Sequence, residues 1–197
     1  MKKTLTVLLA LVLVIAMSVA GTMAYLTSSD EVVNTFTVGN VKITLDEADV
    51  DNSTDGKDRD QANSYKLIPG HEYAKDPIVH VDANSENCWL FVQVDNQIAA
   101  IEDADKSVAS QMANNDWTVV DATNNVYAYK DIVSANANVP VFTTFTVAGT
   151  VDNTTLATYN NKTIVVTAYA VQADGFATAA LAWSNTFGAP AAPAPTT

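Results

Sequence analysis

The chain has 197 residues, of which 22 are Asp or Glu and 10 are Lys or Arg, so its formal net charge at pH 7 is −12. Such an acidic surface repels nucleic acid and anionic lipid headgroups, and neither is expected as a partner. Because Cys88 is the only cysteine, an intrachain disulfide is excluded and the fold depends on packing.

The N-terminus has the features of a secretory signal peptide, predicted to span 1–24. Lys2 and Lys3 precede an apolar run at 5–20, and small residues surround Ala24. This order predicts export and cleavage by signal peptidase after Ala24, so that the mature chain begins at Tyr25 and is secreted without stable membrane insertion. The apolar run is shorter than the roughly 20 residues that span a bilayer, so an uncleaved anchor is the less favoured alternative. Loss of the two lysines leaves 8 basic and 22 acidic residues, a net charge of −14.

Seven runs rich in Val, Thr and aromatic residues predict β-strands. Clusters of Asn, Asp, Gly or Pro separate them, which is typical of an antiparallel β-sandwich. The run "CWLFVQVD" at 88–95 is almost continuously apolar and predicts a central strand with both faces covered and a buried Cys88. Gly39 and Asn40 indicate a turn or bulge within the first run. The seven runs lie at 36–46, 77–82, 88–95, 117–121, 126–130, 140–149 and 163–172.

Two stretches have helical character, and both are expected in connections between strands. The stretch at 177–183 is rich in alanine, and the stretch at 96–113 places apolar residues on a rough stripe. The fold class predicted for 25–187 is therefore an all-β antiparallel sandwich with one or two short helices. The apolar stripe comprises Ile98, Ile101, Val108 and Met112.

Two further segments are predicted to lie outside the core. Residues 46–61 are polar and acidic with no apolar period, which indicates a long surface loop. Residues 188–197 are rich in Pro, Ala and Thr and predict a disordered, extended tail.

The histidines do not form a recognisable zinc motif. "HEYAK" begins at His71 like the metalloprotease motif H-E-x-x-H, but Lys75 stands where the second ligand is needed. Pro69 and Gly70 directly before it favour a turn over the helix that this motif requires. The second histidine, His80, falls in a predicted strand, and no G-x-S-x-G elbow supports a serine hydrolase. No catalytic residue or cofactor is predicted.

The acidic loop resembles a calcium-binding loop only in part. Asp51-x-Ser53-x-Asp55-Gly56 matches the opening of an EF-hand, but the twelfth position is Ala62 instead of a bidentate Glu. A looser calcium site at Asp49, Asp51 and Asp55 is an alternative to a solvated acidic loop. The solvated loop is favoured, so no metal ligand is predicted.

Four segments resemble the TasA/camelysin family of Gram-positive bacteria. They are "AYLTSSDEVVNTFTVGNVKITLDE" at 24–47, "YKLIPGHEYAKDPIVHV" at 65–81, "NCWLFVQV" at 87–94 and "VVTAYAVQADGFATAALAW" at 165–183. In this family a SipW-type signal peptide runs directly into the first strand. The resemblance implies a jelly-roll sandwich, export to the cell surface or biofilm matrix, and assembly into extracellular fibres.

The start of the mature chain is a candidate donor strand. Cleavage after Ala24 frees a short extended segment at a sheet edge, and a free strand with an open edge supplies both halves of β-augmentation. The partner is expected to be another copy of this chain or a related fibre subunit. The alternative for this segment is a frayed terminus without function. The segment consists of Tyr25, Leu26, Thr27, Ser28, Ser29, Asp30 and Glu31.

Two functions from different classes therefore follow from the sequence. The favoured function is a structural fibre protein of the extracellular matrix, not an enzyme. The alternative is a camelysin-type surface protease, because family members with that activity have been described. An accessory role, in which the chain anchors or nucleates fibres of a relative, is a further alternative.

Overall fold

A computed structural model describes residues 40–51 and 57–188, which belong to one compact unit. The predicted signal peptide, the cleavage site, the donor segment at 25–31 and Asp55 lie outside the described residues. Most of the predicted tail also lies outside them. No helix in the described part of the chain is long and apolar enough to cross a membrane.

The described residues form ten β-strands and three short α-helices. The strands are β1 Ile43–Ala48, β2 Arg59–Asp60, β3 Glu72–Ala74, β4 Ile78–Val81, β5 Cys88–Asn96, β6 Trp117–Asp121, β7 Val126–Tyr129, β8 Asn138–Pro140, β9 Thr144–Thr146 and β10 Ile164–Gln172. The helices are α1 Val108–Asn114, α2 Asn153–Ala157 and α3 Ala179–Phe187, and two 3-10 turns lie at Ala99–Ile101 and Ala104–Lys106.

The strands form three antiparallel sheets. Two have four strands each, in the orders β2-β1-β4-β8 and β10-β5-β7-β6, and β3 pairs with β9 in the third. The predicted class, an antiparallel β-sandwich with short helices, is confirmed. Of the three helices, α2 was not predicted.

β5 is the central strand predicted from its apolar run. It pairs with β10 over nine positions on one side and with β7 on the other. Leu90 and Val92 point into the main core, whereas Trp89 and Phe91 belong to a second apolar cluster. Both faces are therefore covered, because side chains alternate between the faces of a strand.

α3 covers the outer face of β5. Thr178 caps its N-terminus by accepting a hydrogen bond from the backbone N–H of Leu181. Ala182 and Trp183 are buried, and the Trp183 ring lies 5.1 Å from that of Phe91. The helix predicted at 177–183 is confirmed from Ala179 onward and continues to Phe187.

Cys88 is fully buried at the start of β5, as predicted. Burial raises the pKa of its thiol to about 11. The residue therefore packs as a small hydrophobe within the core.

The single helix predicted at 96–113 is wrong, although all four residues of its apolar stripe are buried. β5 continues to Asn96, whose side chain accepts from the backbone N–H of Ile98. The side chains of Asp103 and Ser107 cap the second 3-10 turn and α1, respectively. These local side-chain bonds divide the stretch into two 3-10 turns and α1.

The predicted loop at 46–61 is shorter than expected, because both of its ends are strands. β1 runs to Ala48, and Glu47 and Ala48 pair with Asp60 and Arg59 of β2. The run at 140–149 is also not one strand. β8 ends at Pro140, and β9 pairs with β3 in a different sheet. Proline has no N–H to extend the ladder.

Candidate functional site

An open groove lies between the facing edges of two sheets. β10 is the edge strand of its sheet, and β1 pairs with β4 along Ile43–Asp46. On its other side β1 pairs with β2 only at Glu47 and Ala48. Among the described residues, the outer edge of β10 and the β2-facing edge of β1 at 43–45 therefore meet no strand. The groove between them has a volume of about 1540 Å³.

The groove has apolar walls that continue the main core. Eight wall residues pack against buried core residues but remain partly exposed themselves. In β1 and β10 these residues alternate with exposed ones, so the inward faces of both strands border the groove. The described residues thus leave the core incompletely covered along this line. The eight residues are Ile43, Leu45, Tyr65, Leu67, Leu156, Tyr159, Ile164 and Val166.

A buried ion pair lies in the wall of the groove. Lys75 Nζ is 2.5 Å from Glu47 Oε2, and the two side chains are only 10% and 8% exposed. Asn63 donates from its amide to the second Glu47 oxygen at 3.0 Å. The pair connects β1 to the segment before β4, and removal of one partner would leave the other charge buried and uncompensated.

A network centred on Arg59 fixes the same end of β1. The guanidinium donates to the Asp46 carboxylate, and Nη1 donates to Asp76 Oδ2 at 3.0 Å. Nη2 reaches the backbone oxygens of Asp46 and Asp76 at 3.2 and 3.1 Å. These contacts explain why β2 pairs with β1 within a stretch that has few apolar residues, since Arg59 offers five donors in a fixed fork.

His80 joins this network through Asp46. Its Nε2 lies 3.0 Å from Asp46 Oδ1, and its Nδ1 lies 2.6 Å from Asn138 Oδ1. Burial by itself would raise the pKa of Asp46, but hydrogen bonds from Arg59 and His80 outweigh it and hold that pKa below its usual value. The arrangement ties β1, β2, β4 and β8 together, and both nitrogens of the ring are engaged in it.

The residues resembling a zinc motif are placed in a turn and a strand. Gly70 has φ +75°, and His71 donates its backbone N–H to Ile68, so the turn predicted at Pro69 and Gly70 is confirmed. Glu72–Ala74 is the extended strand β3. The helical spacing that would bring two ligands of this motif to one face is therefore not formed.

Three carboxylates come together near the β1–β2 connection. Ligand oxygens of Asp49, Asp51 and Asp60 lie within 4.8 Å of one another. Two belong to the looser calcium site considered from the sequence, whereas Asp60 was missed because only the β1–β2 pairing brings it close. Backbone N–H groups already bind these side chains, at 3.2 Å to Asp49, 2.8 Å to Asp51 and 3.1 Å to Asp60.

The groove itself was not found from the sequence. Strand periodicity placed Ile164 and Val166 on one face of a strand, but it carried no information on which strand edge stays open. Tyr65 and Leu67 alternate with polar residues, a weak signal that a strand prediction could have used. No known protein family, curated protein or solved structure matches the chain.

Proposed function

We propose that the protein is a secreted structural protein of the extracellular or biofilm matrix that assembles into fibres. Each copy receives the N-terminal donor strand of a neighbouring copy in the groove between β1 and β10. The observation that carries the proposal is that groove, with two strand edges and a partly exposed core along one line.

The groove has the properties required to bind a strand. Its two edges offer backbone N–H and C=O groups to an added chain, apart from the Leu45 carbonyl, which accepts from Gln61 Nε2 at 3.3 Å. Its apolar walls offer pockets to alternate side chains. The open edge of β1 at 43–45 can pair with about three extended residues, or about 10 Å at roughly 3.4 Å per residue. Its volume of about 1540 Å³ exceeds the roughly 300–1,000 Å³ of ordinary small-molecule pockets.

The donor is the segment from Tyr25 to Glu31. Signal peptidase frees this segment during export, so assembly is delayed until the chain has left the membrane. Each copy carries a donor at one end and an acceptor groove elsewhere. The contact between successive copies is therefore head-to-tail and does not close on itself, which produces filaments. A related fibre subunit can take the place of either copy, and this chain then acts as an accessory or anchor.

The sequence resemblance supports the same function independently of the groove. The four segments similar to the TasA/camelysin family include the donor segment and the walls at 43–47 and 165–166. Export, a cell-surface location and self-assembly are the properties that this resemblance implies.

Deletion of 25–31 directly behind the signal peptide tests the proposal. The exported wild-type chain should form fibres in electron micrographs, whereas the deletion variant should fold, by circular dichroism, and remain monomeric. Thr27→Pro or Ser29→Pro should act like the deletion where the lost N–H enters the ladder. Fibres from the deletion variant in normal yield would refute donation by this segment.

A second assay separates the structural function from the alternative. The exported protein is incubated with casein, with and without a chelator. No cleavage is expected, and chelator-sensitive cleavage would favour a camelysin-type surface protease. N-terminal sequencing of the same material should read Tyr-Leu-Thr-Ser-Ser.

A further inference from the structure

We propose that Lys66 and Lys162 form a cationic clamp in the groove that binds the carboxylates of Asp30 and Glu31 of a second copy. This inference rests on the proposed function and deepens it, because it assigns the chemistry by which the groove recognises the donor.

Most cations of the folded part are already paired. Lys66 and Lys162, by contrast, make no ion pair with any described residue, and both are exposed and line the groove. On a protein with a large acidic excess, the described residues thus leave two cations without an acidic partner at the site where a strand is proposed to bind. The cations with acidic partners include Lys42, Arg59, Lys75, Lys106 and Lys130.

The groove lining is balanced in charge, unlike the protein as a whole. It contains Lys66, Lys75 and Lys162 against Asp46, Glu47 and Asp60. Asp46 and Glu47 are neutralised by Arg59 and Lys75, so the acidic groups left at the groove are Asp60 and the two residues that cluster with it, Asp49 and Asp51. The lining has no acidic excess of its own, so it repels an acidic strand less than most of the remaining surface does.

The donor segment has the complementary charge. It carries Asp30 and Glu31 at its C-terminal end, and no Lys or Arg occurs between Lys3 and Lys42. Two copies with a net charge of −14 each repel one another, so their contact needs local opposite charges to fix partner and orientation. The clamp supplies those charges and permits only a strand that brings its acidic end to the two lysines.

A charge-swap experiment with the full-length, exported chain tests the clamp. Lys66→Glu with Lys162→Glu, and separately Asp30→Lys with Glu31→Lys, should each lower the fibre yield per amount of mature protein by roughly tenfold or more. The four substitutions together should restore the yield to within about threefold of the wild type, since reversed pairs attract as well as the original ones. The yield is measured by sedimentation and electron microscopy.

The matched control is Lys106→Glu with Lys130→Glu. It changes the net charge by the same amount at two exposed lysines that lie outside the groove, so a general increase in repulsion would lower its yield equally. The expected yield for the control is at least several-fold higher than that of the groove variant. Equal losses in both would overturn the clamp.

The remaining outcomes distinguish the clamp from the function on which it rests. The clamp is overturned if both charge-reversal variants form fibres in the same yield as the wild type. It is also overturned if the quadruple variant stays defective. Donor-strand assembly stands in both cases. A wild-type chain that forms no fibres overturns both. If a reversal variant is not exported, Lys66→Gln with Lys162→Gln and Asp30→Asn with Glu31→Asn replace it; a normal fibre yield from either neutral pair overturns the clamp.

Discussion

The two edges of β10 have opposite surroundings. One edge pairs with β5 at nine positions, from Ile164 opposite Asn96 to Gln172 opposite Cys88. The other edge pairs with no strand of the described residues and borders the groove. Val92 of β5 is fully buried, whereas Val166 of β10 faces the same core and stays partly exposed.

This difference shows where the described residues complete the core and where they leave it partly uncovered. Around β5, side chains of both faces are covered by the chain itself. Along β1 and β10, apolar surface remains that would stabilise the molecule further if it were buried. The free energy available from that burial can serve association instead of monomer folding.

Truncation of core side chains should have the largest effects on the free energy of unfolding. The effects should differ between the paired and the open edge of β10. Leu90→Ala should lower the free energy of unfolding by about 2–5 kcal/mol, because it leaves a cavity at a fully buried site. Val92→Ala should cost about 2 kcal/mol, and the matched Val166→Ala about 1 kcal/mol or less, because Val166 is only partly buried. Denaturant titration measures all three. Equal losses for the two valines would contradict an incompletely covered groove wall.

Breaking the ion pair in the groove wall should have the next largest effect. Lys75→Met leaves Glu47 charged and 8% exposed, so the free energy of unfolding should fall by about 2–3 kcal/mol, somewhat less than for full burial. Lys106→Met is the control, because Lys106 and its partner Glu72 are 58% and 49% exposed, and it should cost no more than about 0.5 kcal/mol. Similar losses for both would mean that the groove wall is as solvated as the outer surface.

Acid titration should reveal the Asp46 network at the end of the groove. The pKa of Asp46 is lowered in the folded protein, so its contribution to stability is complete above the pKa of the unfolded chain, about 3.9, and is lost as the pH falls through the folded-state pKa. Asp46→Asn should therefore flatten the loss of stability below about pH 4 and cost about 1 kcal/mol at pH 7. Thermal unfolding as a function of pH measures both effects.

The control for that titration is the exposed Asp174→Asn. It should leave the acid limb of the stability curve close to that of the wild type. If both variants flatten the curve equally, the acid sensitivity comes from net charge, and the hydrogen bonds of Asp46 do not contribute to it.

The smallest effect is expected at Cys88, which lies in β5, the strand that is covered on both faces. Burial raises the pKa of its thiol to about 11, so little thiolate forms and a disulfide reagent at pH 8 should react negligibly with the folded protein. About one thiol per chain should react after denaturation. Rapid reaction of the native protein would show that the start of β5 opens readily.

Local patterns in the sequence predicted the parts of the fold that depend on a single segment. The apolar run at 88–95 predicted β5 and its two covered faces, and the alanine-rich stretch predicted α3. Pro69 and Gly70 predicted a turn that requires positive φ. Periodicity and turn chemistry are properties of neighbouring residues, so a sequence displays them directly.

Only the tertiary structure decided which edges meet and which stay open. The acidic stretch at 46–61 has few apolar residues and therefore predicted a loop. Arg59 nevertheless pairs with β1, because Asp46 and Asp76 converge on its guanidinium. Ile43, Tyr65 and Val166 border one groove although they are up to 123 positions apart in the sequence. Strand pairing and shared burial join residues that lie far apart in the chain, and no local pattern records which partners a strand edge will find.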